Sequence, residues 1–241
     1  MNFSFILATR GRLELFKSFL DSLRLHTTHR DKIEVLVVGQ TDDRIMVDRL
    51  PGLKEAYCDI NLDYWILPWV ENYCPTYKKF CSLLARGDYI IAVDDEHLYK
   101  TPGWDTILLQ RFEHFLKDKP DKVLYCRLDS KHWKPILSKK ALELLDYEYY
   151  DMRYYGWGSD INLYVIFRDM PQKWSRICDV AEVEVVHRSY HHGRRQKDAT
   201  SLIVERINHA HPIGGGDNPI TSKRRKKVYD YIVNACEGSG E

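Results

Sequence analysis

The sequence predicts an α/β fold with a mostly parallel sheet and helices on both faces. Three observations predict it. Strand-like and helix-like segments alternate through the first hundred residues. Two of the strand-like runs, 33–38 (IEVLVV) and 89–93 (YIIAV), are nearly unbroken apolar, as expected of strands covered on both faces. Polar clusters at 8–12, 39–43 and 94–97 each follow such a run. Sheets of this kind bind ligands at the carboxyl ends of their strands, so three clusters on one edge mark a candidate site.

The elements are expected in this order. Residues 2–7 (NFSFIL) read as a buried strand, and after the loop 8–12 a helix places Phe16, Phe19, Leu20 and Leu23 on one face. The strand 33–38 comes next, then a possible third strand at 64–67 (YWIL). Pro75 opens a helix that Gly87 closes, with Tyr77, Phe80, Cys81 and Leu84 on its buried face. The strand 89–93 runs straight into Asp94-Asp95-Glu96-His97. The second half is mixed: a helix at 104–117, a strand at 122–128, a helix at 139–147, a turn at 156–160 leading into a short helix, and an alternating strand at 182–187 that ends on His187. The tail is helical and basic at Lys223–Lys227. With no repeat or linker, the 241 residues read as a single domain, in stretches 1–100, 101–210 and a basic tail at 211–241.

Composition narrows the class. A net charge of +1 argues against a strongly basic nucleic-acid binder overall, though not against a local patch. Six cysteines without a CxxC pair suit reduced thiols, and the N-terminal apolar run is too short for a signal segment. Nothing approaches a membrane span. The expectation is a cytoplasmic protein.

Carboxylates at a strand end suit a hard cation such as Mg²⁺ or Mn²⁺. Asp94 and Glu96, at i and i+2 of an extended segment, would act together while Asp95 points elsewhere. A solvated acidic turn is the plain alternative.

The first hundred residues resemble the nucleotide-binding half of the family-2 glycosyltransferases and their GT-A-fold relatives. The resemblance rests on Ala8-Thr9-Arg10-Gly11-Arg12 after the first strand, on Val37-Val38-Gly39-Gln40-Thr41-Asp42 after the second, and above all on Ala85-Arg86-Gly87-Asp88-Tyr89-Ile90 leading into Asp94-Asp95-Glu96. It implies a GT-A-type, Rossmann-like sheet and transfer of a sugar from a nucleoside diphosphate donor, UDP-linked by preference. It also implies a donor site drawn from Thr9, Arg10, Arg12, Gln40, Lys78, Asp94 and Asp95, and a divalent ion, Mn²⁺ or Mg²⁺, on Asp94 and Glu96. The sequence departs from the family twice. Gly39 and Gln40 stand where an aspartate usually meets the nucleobase, and the metal motif ends in Glu96 instead of Asp.

Gly156-Trp157-Gly158-Ser159-Asp160 resembles the family element that supplies the general base of inverting enzymes. Asp160 is the candidate base and Trp157 an apolar wall beneath a sugar ring. The alternative for Ser159 and Asp160 is a helix cap. A late histidine often completes the metal site in such enzymes, which points to His187 and tilts the ion towards Mn²⁺. Arg194 and Arg195 would clamp the diphosphate, or else are surface charges. Lys223–Lys227 is either a solvated helix start or a phosphate-contacting patch, and with Tyr149, Tyr150, Tyr154 and Tyr155 it would suit a nucleic-acid acceptor. The acceptor is open between a glycan, a peptide, a small molecule and a hydroxylated DNA base. A nucleotidyltransferase and a catalytically inactive sugar-binding relative are the remaining readings.

Overall fold

The computed structural model describes residues 2–70, 73–129, 131–150, 159–188 and 219–237, with the backbone alone at 131–134, 159–162 and 219–221. The strands are β1 Phe3–Ala8, β2 Ile33–Gln40, β3 Asn61–Leu67, β4 Tyr89–Ala92, β5 His97–Tyr99, β6 Tyr125–Leu128, β7 Lys131–Ser138, β8 Ile177–Val180 and β9 Val185–His187. The helices are α1 Leu13–His26, α2 Arg44–Ala56, α3 Tyr73–Leu84, α4 Trp104–Leu116, α5 Lys139–Leu144, α6 Ser159–Arg168 and α7 Pro219–Glu237.

Seven strands form the main sheet in the order β3-β2-β1-β4-β7-β6-β8. All of its pairings are parallel except the two made by β7. The sequence dictates why the sheet is covered twice. Side chains alternate across a strand, so an unbroken apolar run feeds two cores. Phe3, Phe5 and Leu7 of β1 join Val35 and Val37 of β2 on one face, under α1, α2 and α4. Ile6 joins Leu36, Val38, Ile90 and Ala92 on the other face, under α3, α5, α6 and α7. The first core is anchored by an aromatic node in which Phe3, Phe5 and Tyr99 pack round Trp104, whose indole donates to Thr27 Oγ1 at 3.0 Å.

A buried polar staple sets the register at the amino edge. Ser4 donates to Glu34, and the Gly87 N–H donates to Ser4 Oγ at 2.7 Å. Arg86 donates to Glu34 from both its backbone N–H, at 2.6 Å, and its guanidinium, at 2.7 Å. β1, β2 and the start of β4 are thus tied together at one end, which aligns their carboxyl ends at the other.

Several elements differ from expectation. α2 fills 44–56, where Pro51 and Gly52 mask the helical pattern. β5 and β8 are short strands set by pairing with distant partners, and β7 is an eight-residue strand that pairs with β4 and with its sequence neighbour β6. The strand expected from 122 begins at Tyr125, because Lys122 takes a left-handed turn with φ of 53°. In α3 the buried positions include Pro75, Tyr77, Lys78, Cys81 and Ser82, whereas Leu84 is exposed. The helix is therefore turned so that a lysine faces inward, and its ion pair with Asp94 makes that burial tolerable.

The basic run on α7 is largely neutralised. Arg225 pairs with Asp169 at 2.6 Å, Lys226 with Asp230 at 2.6 Å and Lys227 with Asp146 at 2.7 Å. Arg224 donates to the Glu148 carbonyl at 2.7 Å. Arg224, Arg225 and Lys227 thereby dock α7 against the segments that follow α5 and α6, and Lys226 pairs within the helix. Among the described residues, no helix is long and apolar enough to cross a membrane.

Candidate active site at the carboxyl edge of the sheet

Three chain segments leave the sheet side by side. β1 pairs with β2 through Ala8↔Val38 and with β4 through Ile6↔Ala92, so Thr9, Gln40 and Val93-Asp94 emerge on one edge. Thr9 N–H still donates to Val38 O and Val93 N–H to Ile6 O, each at 3.1 Å, which carries the ladder to the brink of the site.

After Val93 the chain turns through Asp94-Asp95-Glu96 and enters β5. β5 pairs antiparallel with β9, and His97 sits opposite His187 in register. Two histidines far apart in sequence are so brought together, with ring centroids 5.1 Å apart. Asp94, His97 and His187 each offer one ligand atom, all within 4.8 Å of one another. One carboxylate and two imidazoles make a mixed oxygen and nitrogen donor set. Such a set fits a borderline divalent ion such as Mn²⁺ better than Mg²⁺, which prefers oxygen throughout. Asp94 and His187 were expected as ligands. His97 was not, and only the β5–β9 pairing reveals it.

Glu96 faces a cation. Arg12 donates to Glu96 and, at 3.1 Å, to Asp95. Glu96 Oε2 also lies 3.6 Å from His187 Nε2, so its carboxylate borders the three-residue group from the Arg12 side. Asp95 is buried and accepts from Thr9 Oγ1 at 2.7 Å. Burial raises its pKa, and Arg12 and Thr9 only partly offset this.

Lys78 is 2% exposed, and its ammonium lies 2.9 Å from Asp94 Oδ1 and 4.9 Å from the centre of the Tyr150 ring. Enclosure by protein works against both charges of this pair. The Lys78 charge and hydrogen bond, with His97 and His187, together outweigh it and hold the Asp94 carboxyl below the usual carboxylate range. Desolvation likewise opposes the charge on Lys78, yet Asp94 keeps its pKa well above that of an ordinary lysine.

Beyond β2, Arg10 donates to Gln40 and, at 2.8 Å, to Asp42. Asp43 caps α2 through Met46 N–H at 3.2 Å and accepts from Gly11 N–H at 2.5 Å. Gly11 has a φ of 63°, so the loop after β1 turns where a side chain would be strained. Gln40 is fully buried, and its Nε2 has no hydrogen-bond partner among the described residues. A buried amide donor left open at a ligand edge fits a site completed by a bound acceptor.

Thr9, Arg10, Arg12, Gln40, Lys78, Asp94, Asp95, Glu96 and His187 thus converge on one edge. Asp160 lies in the first turn of α6, where only its backbone is described. Trp157 and Arg194, with Arg195, Tyr154 and Tyr155, lie outside the described residues.

No family model matches the sequence, and no curated protein matches it. Solved structures do match. Residues 1–349 of TarS from S. aureus in complex with UDP match with a TM-score of 0.58 at 11% identity, over 99% of this chain and 91% of that one. TarS with UDP-GlcNAc gives a TM-score of 0.64 at 11% identity, over 98% and 72%. The mannosyltransferase PcManGT from Pyrobaculum calidifontis, in complex with GDP-Man and Mn²⁺, gives 0.56 at 16% identity, over 99% and 74%. This chain has the GT-A fold of these glycosyltransferases.

Proposed function

We propose that the chain is a metal-dependent glycosyltransferase that moves a sugar from a nucleoside diphosphate donor to a hydroxyl acceptor. The observation that carries this reading is the Asp94–His97–His187 group at the carboxyl edge of a GT-A sheet. The likeness to proteins bound to UDP, UDP-GlcNAc and GDP-Man with Mn²⁺ supports it. A divalent ion held there would neutralise charge building on the departing diphosphate. Mn²⁺ is the ion that two imidazoles favour.

The rest of the chemistry belongs to the chain. Arg10, Arg12 and Gln40 offer donors to a nucleotide lying along the ends of β1 and β2. Asp160, at the start of α6, would take the proton of the acceptor hydroxyl as its oxygen attacks the anomeric carbon, giving inversion. Trp157 would back the sugar ring, and Arg194 would hold the diphosphate. UDP is the donor nucleotide we favour. A nucleic-acid acceptor draws little support from α7, where Arg224, Arg225, Lys226 and Lys227 are engaged within the protein. Six cysteines present as thiols suit a cytoplasmic protein.

The test is release of nucleoside diphosphate from UDP- and GDP-sugars with Mn²⁺, in the wild type and in Asp160→Asn. The wild type is expected to release the diphosphate from one donor class and to require the ion. The variant is expected to bind donor as before while turnover falls at least ~100-fold. Unimpaired turnover in the variant would remove Asp160 as the base, and a wild type indifferent to Mn²⁺ would remove the metal from the mechanism.

A further inference from the structure

The site carries two cations whose placement stability does not explain. Lys78 is almost fully enclosed on α3 and spends its charge on Asp94. Lysine is rarely fully buried, and here its partner Asp94 is half exposed. An apolar residue at 78 would extend the core that Tyr77 and Cys81 already join. Arg12 is part-exposed and spans Asp95 and Glu96, which are themselves buried.

The charge arithmetic suggests what the two cations do. Asp94, Asp95 and Glu96 against Lys78 and Arg12 leave the centre about one negative unit. A divalent ion at Asp94, His97 and His187 turns that to about one positive unit. Three bare carboxylates would hold the ion firmly on their own, yet the loaded centre would stay negative and repel a diphosphate. With Lys78 and Arg12 in place the ion is held weakly alone, and the loaded centre attracts a diphosphate.

We propose that Lys78 and Arg12 are built-in counter-ions of the metal centre, so that divalent ion and diphosphate bind as a pair and neither binds well alone. The inference rests on the glycosyltransferase reading above. Lys78 is on this view a positioning and charge-setting residue, not a direct diphosphate contact, because its ammonium is enclosed against Asp94 and Tyr150.

The experiment follows Mn²⁺ binding by electron spin resonance of the free ion, with and without saturating UDP or GDP, after allowing for complexation by free nucleotide. In the wild type, Mn²⁺ is expected to bind at least tenfold more tightly when the effective nucleotide is present. In Lys78→Met, Mn²⁺ alone is expected to bind about tenfold more tightly than in the wild type, and the nucleotide-dependent gain is expected to shrink by a similar factor. Lys78→Arg should keep wild-type behaviour. Arg12→Met, checked for a native fold by circular dichroism, removes the second cation from a part-exposed position and should shift both quantities in the same direction as Lys78→Met. If Lys78→Met and Arg12→Met weaken Mn²⁺ binding alone, as Asp94→Asn should, the cations only orient carboxylates and the proposal is overturned. Unchanged coupling in both variants overturns it too. A wild type that binds neither Mn²⁺ nor nucleotide removes the metal-centre reading itself, a result distinct from the other two.

Discussion

Gly87 precedes β4 and lies against the backbone of β1. A β-carbon there would sit 2.6 Å from Ser4 Oγ and 2.7 Å from Ser4 N. The second of these is main chain in the centre of the sheet, so it has no room to yield. Gly87→Ala is therefore expected to destabilise by about 1–3 kcal/mol, read from the urea midpoint. An unchanged midpoint would mean the staple of Ser4, Glu34 and Arg86 does not fix the strand spacing. A second test at this scale concerns Asp121 and Arg176, a buried pair at 2.7 Å that ties the chain after α4 to the start of β8. Burial alone would raise the Asp121 pKa, but Arg176 and the Val123 N–H bring it below the ordinary value. Its folded pKa thus lies below the unfolded value of about 3.9, so the pair stabilises fully above that pH and the contribution is lost as pH falls through the folded value. Asp121→Asn leaves Arg176 uncompensated and is expected to cost about 3–5 kcal/mol at neutral pH, with a flatter stability profile below pH 4 than the wild type. A variant that loses stability in acid as steeply as the wild type would place the acid-labile group elsewhere.

At the scale of elements, the decisive piece is the short ribbon of β5 and β9. It is only three residues wide on each side, yet it carries both histidines of the candidate metal site. His97→Ala and His187→Ala are each expected to weaken Mn²⁺ binding at least tenfold while the main sheet stays intact by circular dichroism. If only His187→Ala did so, His97 would be a ribbon residue and not a ligand. The difference in legibility between the two has a physical cause. His187 ends an alternating strand, and the resemblance, which implies a late metal-site histidine, singles it out. His97 looks like the tail of an acidic turn, and only a partner some ninety residues away makes it a strand residue. β1 to β4 could be read because each is an apolar run bounded by polar turns. β7 and β8 could not, because their pairing is set by the sheet they join. α2 was hidden by Pro51 and Gly52 in its second half. Lys78 shows the limit in another way. Hydrophobic periodicity turns α3 by Phe80 and Leu84, whereas the fold turns it by an ion pair that periodicity does not register.

Over the whole molecule, one design serves both stability and site. Continuous apolar strands divide their side chains between two cores, and the polar residues that cannot enter either core collect at the strand ends. The amino edge spends its polar groups on the staple of Ser4, Glu34 and Arg86. The carboxyl edge holds Asp94, Asp95, Glu96, His97 and His187 together with Lys78 and Arg12, and its buried Gln40 Nε2 has no partner among the described residues. At 11–16% identity, the neighbouring structures share this fold. The most direct test of the central claim is the melting temperature of the purified protein with UDP, GDP, CDP and ADP, each with and without Mn²⁺. One nucleotide is expected to raise it by about 5 °C or more at a hundredfold excess over its Kd, and only when Mn²⁺ is present. No shift with any nucleotide and ion together would contradict a metal-dependent nucleotide-sugar site at this edge.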